Sequence, residues 1–105
     1  MKLKLIPDPT FKTIVNIHVA GEKQKGQIEI TYRALSLPEL KKYFDKAAKE
    51  KADYFETIKG LIVGWNLEEP FTPENLKIFT DNYHTAAITL LETYTQELTN
   101  SRVGN

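Results

Sequence analysis

Apolar residues recur at every second position in two runs near the start of the chain. In residues 11–19 one face carries Phe11, Thr13, Val15, Ile17 and Val19. In residues 27–33 the apolar members are Ile28, Ile30 and Tyr32. Alternation with a period of two is typical of half-buried strands, so both runs are predicted to be β-strands.

The segment between the two runs begins at Gly21, ends at Gly26 and is charged between them. Glycines around a polar centre favour a chain reversal, and we therefore expect an antiparallel two-stranded hairpin over residues 11–33. A lone hairpin is only marginally stable. Its apolar face should be covered by the remainder of the chain.

In that remainder, apolar residues recur at the spacing of a helix. Ser36 and Glu39 form a capping-box pattern that predicts a helix start. The apolar positions that follow are Leu37, Leu40, Phe44, Ala47, Ala48, Phe55, Ile58, Leu61 and Ile62. The spacing allows one long helix or two; we favour two segments, with a break near residues 51–53 and an end at Gly64.

Two further helices are expected. Thr72, Pro73 and Glu74 have the residue types of a helix start, and that helix should run to about Thr80. Asp81 or Asn82 is predicted to cap the last helix, whose apolar stripe is Tyr83, Ala87, Leu90, Leu91, Tyr94 and Leu98. The predicted fold is α+β: one domain over residues 1–105, with the N-terminal antiparallel hairpin, three to four helices within residues 37–99, and a flexible tail at 100–105.

Composition narrows the class of protein. The 105 residues are 41% hydrophobic and 27% charged, as in globular proteins, and contain no cysteine, which excludes disulfides and thiolate metal sites. No apolar run approaches the length of a membrane span, so no membrane association is expected. Residues 1–6 alternate lysine with aliphatic residues and lack the features of a secretory signal.

Charge is unevenly distributed although the formal net charge is zero. Residues 1–51 hold eleven Lys/Arg against six Asp/Glu, and residues 52–105 hold three against eight. The two halves can face each other within one molecule or simply be solvated. Alternatively, they support head-to-tail association, which leaves a homo-oligomer open, or oppositely charged partners at each end. The lysines of residues 39–51 are interleaved with acids, and nucleic-acid binding is not expected.

Candidate catalytic groups are sparse. His18 and His84 have no second histidine at ligand spacing, and the Glu68-Glu69 pair lies in a polar loop. Gly60 and Gly64 are not followed by the Lys-Ser/Thr of a phosphate-binding loop. We expect no enzyme activity, no cofactor and no metal.

Aromatic residues crowd into the second half of the chain. Trp65 and Phe71 flank a predicted loop, where they either close over the core or anchor a partner. The residues predicted to contact a partner are Trp65, Phe71, Tyr83, Leu90, Leu91, Tyr94 and Leu98.

Several of these residues carry a family resemblance. Residues 61–65 (LIVGW), residues 70–76 (PFTPENL), Tyr83 with Ala86-Ala87, Tyr94 and Arg102 together resemble the tail assembly chaperones of long-tailed bacteriophages and prophages. Residues 8–11 (DPTF), leading into an alternating strand, are similar to the same family. The sequence differs from the pattern at His84, where a proline is expected, and at residues 103–105, which lack a basic ending.

The resemblance implies a non-enzymatic binding protein of the bacterial host cytoplasm. Its partners would be the phage tape measure protein, which such chaperones keep soluble, and the major tail tube protein. The alternative is a structural tail component, terminator- or connector-like, that is retained in the virion. A small enzyme or nucleic-acid adaptor is the third hypothesis.

Overall fold

The computed structural model describes residues 1–99. Its elements are β1 (Thr10–Ile17), β2 (Gly26–Arg33), α1 (Leu37–Lys49), α2 (Tyr54–Lys59), β3 (Ile62–Trp65), α3 (Pro73–Asn82) and α4 (Ala86–Thr99). The predicted α+β class is confirmed, with the antiparallel hairpin first and four helices after it. The tail predicted at 100–105 lies outside the described residues.

The hairpin has the register expected from the alternation. β1 and β2 pair from Thr10 opposite Arg33 to Ile17 opposite Gly26. Gly21, in the connection, has a φ of 83°, a left-handed conformation that glycine adopts without steric cost. β3 then adds to the other side of β2 in antiparallel orientation, so the sheet order is β1-β2-β3.

The prediction of a helix through Ile62, ending at Gly64, is wrong. The helix α2 ends at Lys59, and the chain turns through Gly60 into β3. The Arg33 N–H donates to the Leu61 carbonyl 2.8 Å away, which starts the pairing of this segment with β2. The β-branched pair Ile62-Val63 suits a strand better than a helix.

The core lies between one face of the sheet and the helices. Its buried apolar members are Val15, Ile17, Ile28, Ile30, Tyr32, Ile58, Leu61, Ile62, Leu76, Ala86, Leu90 and Tyr94. Two tyrosine hydroxyls fasten α4 to β2: Tyr32 donates to the Leu90 carbonyl at 2.7 Å, and Tyr94 donates to the Arg33 carbonyl at 2.9 Å. These bonds satisfy the hydroxyls where water is excluded.

The break between α1 and α2 is confirmed. Ser36 caps α1 through the predicted capping box, in which its N–H donates to the Glu39 carboxylate at 2.9 Å. No residue of α1 is buried, and Lys51 follows the helix in a left-handed conformation, with a φ of 54°. α1 is therefore a peripheral helix.

The boundary between α3 and α4 differs from the prediction. Thr72 caps α3 as expected, accepting from the Asn75 N–H at 3.0 Å. Asp81 and Asn82, however, form the last turn of α3 instead of capping α4. The next helix starts later because Tyr83 turns out of α3 into an extended conformation, with φ −111° and ψ 97°.

Candidate functional site

Four aromatic side chains form a continuous row at one end of the molecule. Trp65 lies against Phe71, with ring centroids 5.2 Å apart and planes at 84°, and against Phe79 at 5.7 Å. Phe79 in turn contacts Tyr83 at 5.0 Å. Edge-to-face and tilted contacts at these distances are favourable aromatic geometries, so the row is held together by its own packing.

Three local features position this row. Trp65 is the last residue of β3, and its indole N–H donates to the Glu69 carbonyl at 2.8 Å, which holds the loop after β3 against the indole. The Asn75 side-chain amide donates to the Pro70 carbonyl at 2.8 Å and holds the loop against the start of α3. Tyr83, the residue after α3, donates its N–H to the Phe79 carbonyl at 3.0 Å, which keeps it one turn beyond Phe79 and brings the two rings together.

Adjoining cavities follow this row. One, of about 400 Å³, is lined by Trp65, Leu67, Glu69, Asn75, Ile78, Phe79, Asn82 and Tyr83. A second, of about 110 Å³, shares Leu67, Phe79 and Tyr83 with it and reaches the turn end of the β1-β2 hairpin. We call this surface, formed by Trp65, Leu67, Ile78, Phe79 and Tyr83, the aromatic groove.

The aromatic groove has the properties of a docking surface for apolar side chains. Trp65, Leu67, Phe79 and Tyr83 are only partly buried. Ile78 is 57% exposed. Partly buried rings beside an exposed aliphatic residue offer area that a partner can remove from water.

A third cavity, of about 600 Å³, continues from Tyr83 and contains both histidines of the chain. His18 follows β1 and His84 follows α3, yet both line the same cavity with Asn82 and Thr85. The sequence gives no sign of this proximity, since the two residues belong to distant segments. No group of three or more metal-ligating residues occurs within residues 1–99.

The structure divides the predicted partner-contact residues into two groups. Trp65, Phe71 and Tyr83 meet in the aromatic row and stay partly accessible. Leu90 and Tyr94 are fully buried beneath the sheet, where a partner does not reach them in this conformation. Leu91 and Leu98 are partly buried on α4.

Sequence reasoning missed Leu67, Ile78 and Phe79. Phe79 precedes Tyr83 by four residues, a spacing that would have placed both on one face of a helix running past Thr80. Leu67 and Ile78 had no such signal, because their location depends on how the loop after β3 folds back.

A second aromatic cluster belongs to the core. Tyr32 lies 5.1 Å from Tyr94 and 5.5 Å from Phe11, measured between ring centroids. Burial raises the pKa of both the Tyr32 and the Tyr94 hydroxyls above the ordinary tyrosine value. Tyrosine hydroxyls are protonated at neutral pH in any case, and the raised pKa keeps these two protonated, as hydrogen-bond donors to the backbone, to more alkaline pH.

None of the helices within residues 1–99 has the length and apolar character needed to cross a membrane.

Comparison with known proteins identifies the family. A family model described as phage tail assembly chaperone matches residues 1–105, the whole of the chain. No curated protein and no solved structure matched the chain significantly. The family consists of assembly chaperones and is not a known enzyme class, and it points to protein partners in tail assembly. The chain therefore belongs to the phage tail assembly chaperone family.

Proposed function

We propose that this protein binds the tape measure protein of its phage in the cytoplasm of the bacterial host and keeps it soluble until the tail tube forms around it. The observation that carries the proposal is the aromatic groove, a partly exposed apolar surface on a chain of the assembly-chaperone family. Its action is binding, with no bond made or broken.

The aromatic groove suits the apolar face of a helix of the tape measure protein, the client in this proposal. An amphipathic helix presents anchors every three to four residues, and such anchors commonly dock into apolar grooves. Phe79 and Tyr83, whose rings are in contact, would pack against one anchor and Ile78 with Trp65 against the next, because Trp65 lies on the other side of Phe79 from Tyr83 in the aromatic row. Many copies on one long client would gain avidity from weak individual contacts.

Release would follow from competition by the major tail tube protein. A partner surface that covers the same stretch of tape measure displaces the chaperone as the tube grows, provided each chaperone contact is weak. In this scheme the chaperone is absent from the finished tail, whereas a terminator- or connector-like component would remain in it.

Co-purification of the tagged protein with the tape measure protein from the same phage tests the proposal. Ile78→Asp places a charge in the aromatic groove at a position 57% exposed, so it should abolish co-purification with little effect on folding. Leu37→Asp is the matched control, because Leu37 is 83% exposed and lies on α1, outside the groove. Equal retention of the client by both variants would refute the assignment of the groove.

The single tryptophan provides a direct readout. Trp65 lies in the aromatic groove, and no other tryptophan contributes to the fluorescence. Titration with a tape measure segment should shift its emission to shorter wavelength as water is displaced.

Mass spectrometry of purified virions is the second experiment. Recovery of the protein in stoichiometric amount would favour a structural tail component over a chaperone.

A further inference from the structure

Residues 1–6, the leading segment, expose four large aliphatic side chains. Leu3 is 86% and Leu5 99% exposed, and Met1 and Ile6 are also open to solvent. Apolar residues alternate with Lys2 and Lys4 from Met1 to Leu5, which is a strand pattern, yet the segment belongs to none of the strands of the sheet. Exposed large apolar side chains gathered in one short segment are typical of an interaction site.

The same molecule carries an open sheet edge. β1 pairs only with β2 within the sheet of residues 1–99, so its other side presents backbone donors and acceptors along eight residues. Ile14, on the face of β1 turned away from the core, is 48% exposed. Long edge strands with exposed apolar residues readily accept an additional strand.

The leading segment is poorly placed to pair with the β1 edge of its own chain. Pro9 still lies against the end of β2, since its carbonyl accepts from the Ala34 N–H at 2.9 Å. Pro7 and Pro9 have no N–H to donate to a neighbouring strand, and the chain bends at Leu5 and Ile6 without folding back along β1. The open edge of a second molecule has no such constraint.

Charge and hydrophobicity favour the same register for the leading segment beside β1 of the second molecule. Thr13, on the core-side face of β1, donates to the Glu97 carboxylate of α4 at 2.6 Å. Alternate side chains of a strand point to opposite faces of the sheet. If Leu3 and Leu5 of an added strand lie on the same face as Ile14, then Lys2 and Lys4 lie on the opposite face, where Glu97 is found. One register thus provides both apolar contact and charge pairing.

We propose that the leading segment of one molecule adds as a strand to the β1 edge of a second copy of the chain, making the protein self-associate. Reciprocal exchange gives a closed dimer and one-way exchange gives an open row. Lys4 pairs with Asp8 of its own chain, and Glu97 accepts from Thr13, so the cation available for the contact between molecules is Lys2. Lys2 would lie beside Glu97 of the second molecule, whose carboxylate can accept more than one hydrogen bond.

Disulfide trapping tests the contact directly, because the chain has no cysteine of its own. Leu3→Cys and Ile14→Cys proteins, mixed and oxidised, should form a disulfide-linked heterodimer. Val63→Cys is the matched control, since Val63 is 47% exposed on β3, the opposite edge strand. Trapping with Val63→Cys but not with Ile14→Cys would overturn the proposal. The Leu3→Cys/Ile14→Cys double variant distinguishes pairing within one chain from pairing between chains. If its disulfide forms only within one chain, with no linked dimer, the proposal is also overturned.

Sedimentation velocity over a range of concentrations gives the second readout. The wild type should associate, and Leu3→Asp/Leu5→Asp should weaken association at least about tenfold. Lys2→Glu and Glu97→Lys should each weaken it about two- to fivefold, and their combination should restore it, which a merely structural role of Glu97 does not predict. A wild type that stays monomeric at all concentrations would refute the proposal. Ile78→Asp should leave self-association intact, which separates this result from client binding.

Discussion

The Tyr43 hydroxyl donates a hydrogen bond to the Thr57 carbonyl oxygen across 2.6 Å, and this bond fastens α1 to α2. The contact is important for α1 because none of the residues of that helix is buried. Gly60, at the end of α2, lies directly against the same tyrosine: a β-carbon added there would collide with the Tyr43 hydroxyl and approach the ring carbons to 3.2 Å. The absence of a side chain at Gly60 thus makes room for the attachment of α1.

Gly60→Ala should therefore destabilise the protein by about 1–3 kcal/mol, the usual cost of overpacking. The backbone at Gly60 is right-handed, so the effect comes from the collision and not from conformational strain. Urea unfolding measures it. In a Tyr43→Ala background, where the colliding ring is gone, the same substitution should cost nearly nothing; an equal cost in both backgrounds would contradict the explanation.

Alkaline pH should weaken the fold through Tyr32. Burial raises the pKa of this hydroxyl, whereas in the unfolded chain it ionises near the ordinary value of about 10. The unfolded state thus loses its proton first, and stability that is fully present below pH 10 is lost as pH rises above it, by at most about 1.4 kcal/mol per pH unit for one group.

Tyr32→Phe separates the two contributions of this residue. At pH 7 it should cost about 1 kcal/mol, because the hydrogen bond to the Leu90 carbonyl is lost. Above pH 10 its stability should fall less steeply than that of the wild type. Urea unfolding from pH 7 to alkaline pH measures both effects, with Tyr54→Phe at an exposed position as the control. Parallel curves for Tyr32→Phe and wild type would exclude the role of Tyr32 ionisation.

Local signals in the sequence were sufficient for the hairpin and for the starts of α1 and α3. The alternation in residues 11–33 set both strands, and the Ser36 and Thr72 caps placed the starts of α1 and α3 because each cap is satisfied within one turn. β3 was missed because its pairing with β2 is a long-range contact and Leu61 and Ile62 continue a helical spacing. The signal for β3 was a glycine that can end a helix, Gly60, followed closely by the β-branched residues Ile62 and Val63.

The candidate docking surface was only partly predictable for a related reason. Trp65, Phe71 and Tyr83 were expected to contact a partner, but which aromatic residues stay accessible depends on how α4 packs against the sheet. Tyr94 shares the spacing of the Tyr83 stripe and nevertheless becomes fully buried, where its hydroxyl bonds the Arg33 carbonyl. Helical spacing identifies a face and does not say what covers it.

Lys51 is a position at which substitution should stabilise the protein. Its φ of 54° lies in the left-handed region, which is unfavourable for a residue with a β-carbon and readily adopted by glycine. The following Ala52 N–H bonds back to the Ala47 carbonyl at 2.9 Å, so the turn itself is well formed. Lys51→Gly should raise the free energy of unfolding by about 0.5–1 kcal/mol, whereas Lys49→Gly, inside α1, should lower it. Destabilisation by Lys51→Gly would contradict the conformational argument.

The Thr72 cap should affect the aromatic groove as well as stability. Its hydroxyl accepts from the Asn75 N–H, and the Asn75 side chain in turn holds the loop at Pro70, so the cap fixes the start of the helix that carries Phe79. Thr72→Ala should cost about 1 kcal/mol in unfolding. By loosening the loop that the Trp65 indole bonds, it should also shift tryptophan emission in the free protein and weaken client binding.

Two control variants separate the cap from other effects. Thr72→Ser keeps the hydroxyl and should retain stability, tryptophan emission and client binding. Ser36→Ala removes the cap of α1 and should lower stability but leave the emission of Trp65 unchanged. If Thr72→Ala and Ser36→Ala alter tryptophan emission equally, the cap has no specific connection to the groove.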